Sequence, residues 1–166
     1  MAENEIMITR TFDAPRELVF NAWTQPELLA EWWGPEGYDM YVARLDLRPG
    51  GLFLGRQSSP EGHEMWGKFV YQEIAAPEKL VFVQSFSDEE GNTIGAPFSD
   101  TWPLEVINHI KLSESDGKTT LTLGGGPINA TEEERTAYES MRPHIQQGLE
   151  GTFNQLAAFL AQNNSA

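Results

Sequence analysis

The chain carries three histidines, His63, His109 and His144, and no cysteine. No two of the three are spaced two or four residues apart on one element. His63-Glu64 does not open a zinc-protease motif, because Gly67 stands where the second histidine would be. A zinc site would need all three to converge with a carboxylate. They read instead as a turn, a strand and a helix-start histidine, and metals are expected to be irrelevant to folding. Glu132, Glu133 and Glu134 are first-turn residues favoured by the helix dipole. Asp88, Glu89 and Glu90 belong to a polar loop and are expected to face water. There is no nucleophile elbow and no Ser–His–Asp set in the spacing. Gly124-Gly125-Gly126-Pro127 lacks the Lys and Ser/Thr of a phosphate loop and reads as a flexible exit from a sheet. Asn129-Ala130-Thr131 fits a glycosylation pattern, but Thr131 is better explained as a helix cap. No catalytic residue, metal or cofactor is assigned, and binding is expected ahead of catalysis.

The stronger signal is a set of amides at positions that strand periodicity turns to one face. Leu80, Phe82, Gln84 and Phe86 share a parity, as do Val106, Asn108, Ile110 and Leu112, and Phe53, Gly55 and Gln57. If those faces point to the interior, three amides sit among apolar side chains. A buried amide must find partners or cost roughly 1–3 kcal/mol. Such groups in an apolar cavity describe a small-ligand site. A bulge or a few ordered waters would be the alternative.

The elements that must position them follow from the same sequence. Glu5–Phe12 is a strand. Asp13 is placed to cap a helix with Pro15 in its first turn, and Thr24-Gln25-Pro26-Glu27 reads as a capping box for a second short helix stopped by Gly34-Pro35. Candidate strands follow at Tyr38–Asp46, Gly51–Gln57, Glu64–Ile74, Lys79–Phe86, Glu105–Leu112 and Thr119–Leu123. Short turns between them imply antiparallel hairpins. Ser87 to Pro103 is a long loop rich in Gly, Pro, Asp and Ser. Thr131 to Glu134 is a second capping box. Pro143 predicts a break near Met141, between a helix over Glu132–Ser140 and a long one over Arg142–Ala161. The order β, α, α, six β, α is an α+β layout in which the long helix covers a curved antiparallel sheet. Gly148 and Gly151 lie on that helix. Gly148 either lets the helix approach the sheet or leaves room for a ligand, with close packing the expected reason.

Composition bounds the function. The chain has 166 residues, a usual size for one domain, and its core is expected to span about residues 5 to 161. Five tryptophans are too many for a disordered chain. The net charge of −14 opposes nucleic acid and anionic membrane surfaces, and mainly provides solubility. Without cysteine there is no disulfide framework or thiol chemistry. No apolar run approaches the ~20 residues of a membrane span. The acidic start, Met1-Ala2-Glu3-Asn4-Glu5, is unlike a signal peptide, so a cytoplasmic location is expected.

Phe12-Asp13-Ala14-Pro15, Val19-Phe20-Asn21-Ala22-Trp23 and Trp32-Trp33-Gly34-Pro35 resemble the START-like (SRPBCC) superfamily. Within it they resemble the branch named after activators of the ninety-kilodalton heat-shock chaperone ATPase. Pro49-Gly50-Gly51, Trp66-Gly67-Lys68-Phe69, Glu73-Ile74, Pro77 to Phe82 and Gly117 to Leu123 extend the similarity over nearly the whole chain. The resemblance implies a helix-grip fold, often with a cavity between sheet and C-terminal helix. The partners it implies are a small apolar or aromatic ligand, or a chaperone; a homodimer stays open. A ligand-binding protein is the first reading, a chaperone-ATPase regulator the second, and a cyclase- or hydrolase-like enzyme the third. This chain opens directly on the fold's first strand, so it is expected to stimulate a chaperone ATPase weakly or not at all by itself. The candidate cavity residues are Phe53, Gln57, Trp66, Phe69, Tyr71, Phe82, Gln84, Trp102, Asn108, Ile110, Met141, Ile145, Gly148 and Thr152. Trp66 and Trp102 are placed at the rim, near the long loop.

Overall fold

In a computed structural model of the protein, residues 6–34, 37–96 and 99–163 are described. Glu5, at the start of the first expected strand, and Pro35, half of the expected helix stop, lie outside them, as does the acidic start. The elements run β1 (Ile6–Phe12), α1 (Arg16–Thr24), α2 (Pro26–Trp32), β2 (Asp39–Leu45), β3 (Leu52–Ser58), β4 (Glu64–Ala75), β5 (Lys79–Ser87), β6 (Glu105–Ser115), β7 (Lys118–Ile128), α3 (Glu132–Ser140) and α4 (Arg142–Asn163). The strands form one antiparallel sheet in the order β1-β7-β6-β5-β4-β3-β2. This is the expected α+β helix-grip layout. Each consecutive pair from β2 to β7 is adjacent, β5 and β6 even across the long loop, and β1 closes on β7.

The register settles which face each strand presents. Phe53 lies opposite Phe69, Phe69 opposite Gln84, Phe82 opposite Asn108, and Asn108 opposite Gly125. Directly paired residues share a face, so the three expected parities all face the interior. A bulge between Tyr71 and Glu73 resets β4, which returns Ile74 to the inner face opposite Leu80.

Two of the expected caps are not formed. The N-cap of α1 is Pro15, not Asp13, and the first free N–H of that helix, on Arg16, donates to the Glu114 carboxylate at 2.8 Å. The N-cap of α2 is Gln25, with Pro26 in its first turn; the Thr24 hydroxyl turns back on α1 and donates to the Phe20 carbonyl at 2.9 Å. The Thr131–Glu134 box forms in both directions.

The glycine run is no flexible exit. Gly124 to Pro127 belong to β7, with Gly125 paired between Ile6 and Asn108. A Cβ on Gly125 would collide with the Ile107 carbonyl oxygen, so the sheet closes at this point only because no side chain is present. The first half of the long loop is also ordered. The Asp88 carboxylate accepts from the backbone N–H groups of Asn92 and Glu90 and from the Asn92 side chain. These bonds, those of Asn92 foremost, hold the carboxyl below its ordinary range. Lys68 Nζ donates to the Gly91 carbonyl at 3.0 Å, fixing this turn on the outer face of the sheet beside Leu52 and Leu54.

The packed core lies between the inner face, α1, α2 and the C-terminal half of α4. Phe153, Leu156 and Leu160 of α4 are buried there with Trp23, Phe12 and Leu121. We expect Gly125→Ala to cost more than about 2 kcal/mol, since backbone cannot move aside. Gly124→Ala presses only on the exposed, flexible Met7 side chain, with the Ile6 carbonyl at an ordinary 3.8 Å, and should cost less than about 1 kcal/mol. Urea unfolding of both variants checks this; equal losses would contradict it.

Candidate functional site

Thr152 Oγ1 and Gln155 Nε2 both donate to the Gly34 carbonyl, at 3.3 and 2.6 Å. C-terminal to this joint α4 is packed. N-terminal to it, Ile145 and Leu149 are only half-buried, and Gly148 and Gly151 have nothing within 4 Å of where a Cβ would stand. The helix therefore does not close on the sheet at this end. It leaves a cavity of about 500 Å³, a usual size for a small-molecule site.

The cavity floor is aromatic. Phe53 and Phe69 have ring centroids 4.6 Å apart, and Trp33 meets Phe69 edge-on at 5.3 Å. Phe86, Val106, Leu123, Ile6 and Met40 continue the apolar wall. The polar groups are few. Gln57, Gln84 and Asn108 line it, and Asn108 Nδ2 donates to Gln84 Oε1 at 3.3 Å. No Asp, Glu or His lines it among the described residues. Lys68 borders it through its backbone side, since its register with Leu54 and Ser85 and its bond to Gly91 turn the ammonium to the outer face. At the mouth are Trp102, Pro103 and Leu104 from the end of the long loop, with the Trp102 ring 5.5 Å from that of Tyr138 on α3.

Of the residues expected at the cavity, Phe53, Gln57, Phe69, Gln84, Trp102, Asn108, Ile145, Gly148 and Thr152 line it. Trp66 touches it at the rim, but its register opposite Arg56 and Ser87 turns the ring outward, where the Arg56 guanidinium lies 5.9 Å from it. Phe82 does not line it, because Phe69 stacks on it at 4.0 Å and covers it. Tyr71, edge-on to Phe82, and Ile110, opposite Leu80 and Leu123, lie in the packed core at the other end of the same faces. Met141 is the exposed C-cap of α3. The close packing expected at Gly148 is also corrected: the space beside it is empty. Sequence reasoning missed Trp33; Gly125, read as part of a flexible exit; and Tyr138. A helix stripe marks an inner face without saying whether it meets protein or void.

Two groups bear on the electrostatics. Tyr71 Oη and Trp23 Nε1 are buried without a hydrogen bond among the described residues, and burial raises the Tyr71 phenol above its ordinary value. Burial likewise pushes Tyr138 up to about 12.

The sequence profile of the family described as Activator of Hsp90 ATPase homolog 1-like protein matches residues 13–161. The chain belongs to that family. Its fold recurs in a crystal structure of a Mycobacterium smegmatis protein, 28% identical, with a TM-score of 0.75 and coverage of 94% of this chain and 90% of that one. A solution structure of an Arthrobacter aurescens protein is 25% identical, with a TM-score of 0.80 and coverage of 95% and 86%. One from Staphylococcus epidermidis is also 25% identical, with a TM-score of 0.77 and coverage of 100% and 94%. Comparison with curated protein sequences returns no match. Among the described residues no helix of this family member is long and apolar enough to cross a membrane.

Both phenols are neutral acids whose folded-state values lie above the unfolded value near 10, so their contribution is complete below about pH 10 and is lost above it. Denaturant midpoints should fall as pH passes about 10, and Tyr138→Phe should reduce the fall. An unchanged pH profile in that variant would contradict the burial of Tyr138.

Proposed function

We propose that this protein is a cytoplasmic binding protein for a small, largely apolar ligand held between the sheet and the N-terminal half of α4. The observation that carries this reading is the pair of glycines facing empty space. Each costs about 1 kcal/mol relative to alanine inside a helix. At Gly148 and Gly151 no neighbour requires the absence of a side chain. Both line the cavity, and what their missing side chains provide is open volume there. Burying an apolar body there contributes about 25 cal/mol per Å² removed from water. The lack of any acid or base other than Tyr138 facing the cavity, among the described residues, supports binding over acid–base catalysis. Regulation of a chaperone ATPase is supported by the family's description alone, and the cavity favours a ligand.

Gly148→Leu tests the reading, since it fills the void without displacing a neighbour. We expect the variant to keep or raise the thermal midpoint while its affinity for Nile red, a neutral apolar dye, falls by at least about tenfold, or 1.4 kcal/mol. Quenching of Trp102 at the mouth gives a second readout. Unchanged dye affinity in a folded Gly148→Leu protein would overturn the proposal.

A further inference from the structure

We infer that the cavity selects neutral ligands whose polar end carries a hydrogen-bond donor beside an acceptor, such as a carboxamide or lactam, and discriminates against the carboxylate of the same body. This rests on the ligand-binding reading and specifies its chemistry.

The inference comes from the accounting of the Gln84–Asn108 pair. The two residues are diagonal neighbours on β5 and β6, since Gln84 lies opposite Val106 and Phe82 opposite Asn108. Each amide has one acceptor oxygen and one NH2 group. The bond between them uses Asn108 Nδ2 and Gln84 Oε1. Gln84 Nε2 and Asn108 Oδ1 remain, with no protein partner among the described residues and with surface open to the cavity. Turning both amides over exchanges the roles but still leaves one donor beside one acceptor. The pair thus presents a fixed two-sided edge. Gln57 differs: a lone amide with no hydrogen-bond partner among the described residues can rotate to offer either atom, so it accepts any polar group.

A carboxylate has acceptors only. At the pair it would satisfy the NH2 group and confront the oxygen. Its charge would also be buried without a counterion, since among the described residues no cationic side chain points into the cavity, and the protein carries a net charge of −14. A carboxamide satisfies both sides of the pair and carries no charge.

The test compares 2-naphthamide, 2-naphthoate and 2-methylnaphthalene by Trp fluorescence and calorimetry on the full chain. We expect the amide to bind at least about tenfold tighter than the carboxylate at pH 7.5. Gln84→Met, which keeps the volume and removes the donor, should abolish most of that preference while methylnaphthalene binding stays within about twofold. Asn108→Leu should do the same and guards against a folding defect in one variant. Naphthoate binding as tightly as the amide, or a preference that survives both substitutions, would overturn the inference and leave the cavity reading standing. Failure of all three probes, methylnaphthalene included, would overturn both.

Discussion

The Gly34 carbonyl accepts two side-chain hydrogen bonds from α4, and the position of that helix depends on them. Gly34 can present its carbonyl this way because its φ of +114° is open to glycine and strained for other residues. A Cβ there would also press on Gln57 Nε2 at 2.9 Å. The exit of α2 and the middle of α4 are thus fixed by a single peptide group. Beyond that joint Phe153 fills the gap, with ring contacts to Phe12 at 6.3 Å and Trp23 at 6.4 Å. Before it, side chains large enough to fill the gap are missing, and the same helix that closes the core holds the cavity open.

The division of labour along the strands follows from this pivot. On the inner face of β5, Leu80 and Phe82 belong to the core, while Gln84 and Phe86 belong to the cavity. On β6, Ile110 and Leu112 are core, and Val106 and Asn108 are cavity wall. The inner-face amides of these two strands, Gln84 and Asn108, lie past the point where the helix lifts away. That is where an amide can keep free hydrogen-bonding capacity without the penalty of a dry interior. The Trp33–Phe69–Phe53 contacts form the boundary, rigid enough to keep the floor from collapsing into the void.

Much of the fold was legible in the sequence because period-two and helical patterns report which face is apolar. The strands, the break at Met141, the Thr131 capping box and the inward amides all follow from that signal. Several misreadings come from one limit: periodicity gives direction, not depth. It placed Phe82, Tyr71 and Ile110 on the correct face but could not locate the pivot that leaves them under packed helix. It put Trp66 with the cavity, although its parity on β4 is that of the outer face. Thr24 and Asp13 were read as caps from residue type, whereas Glu114, distant in sequence, caps α1 through tertiary contact. Gly124 to Pro127 looked like a loop because a strand this poor in side chains is defined by its partners, Ile6 to Met7 and Val106 to His109.

Native mass spectrometry of freshly purified protein tests the central claim, that the space beneath the N-terminal half of α4 is built to be occupied. The account predicts a non-covalent small-molecule adduct on the wild-type chain, released on denaturation and missing from Gly148→Leu prepared in the same way. An adduct carried equally by both proteins would contradict it, as would a wild-type chain that stays unliganded after incubation with neutral aromatic amides.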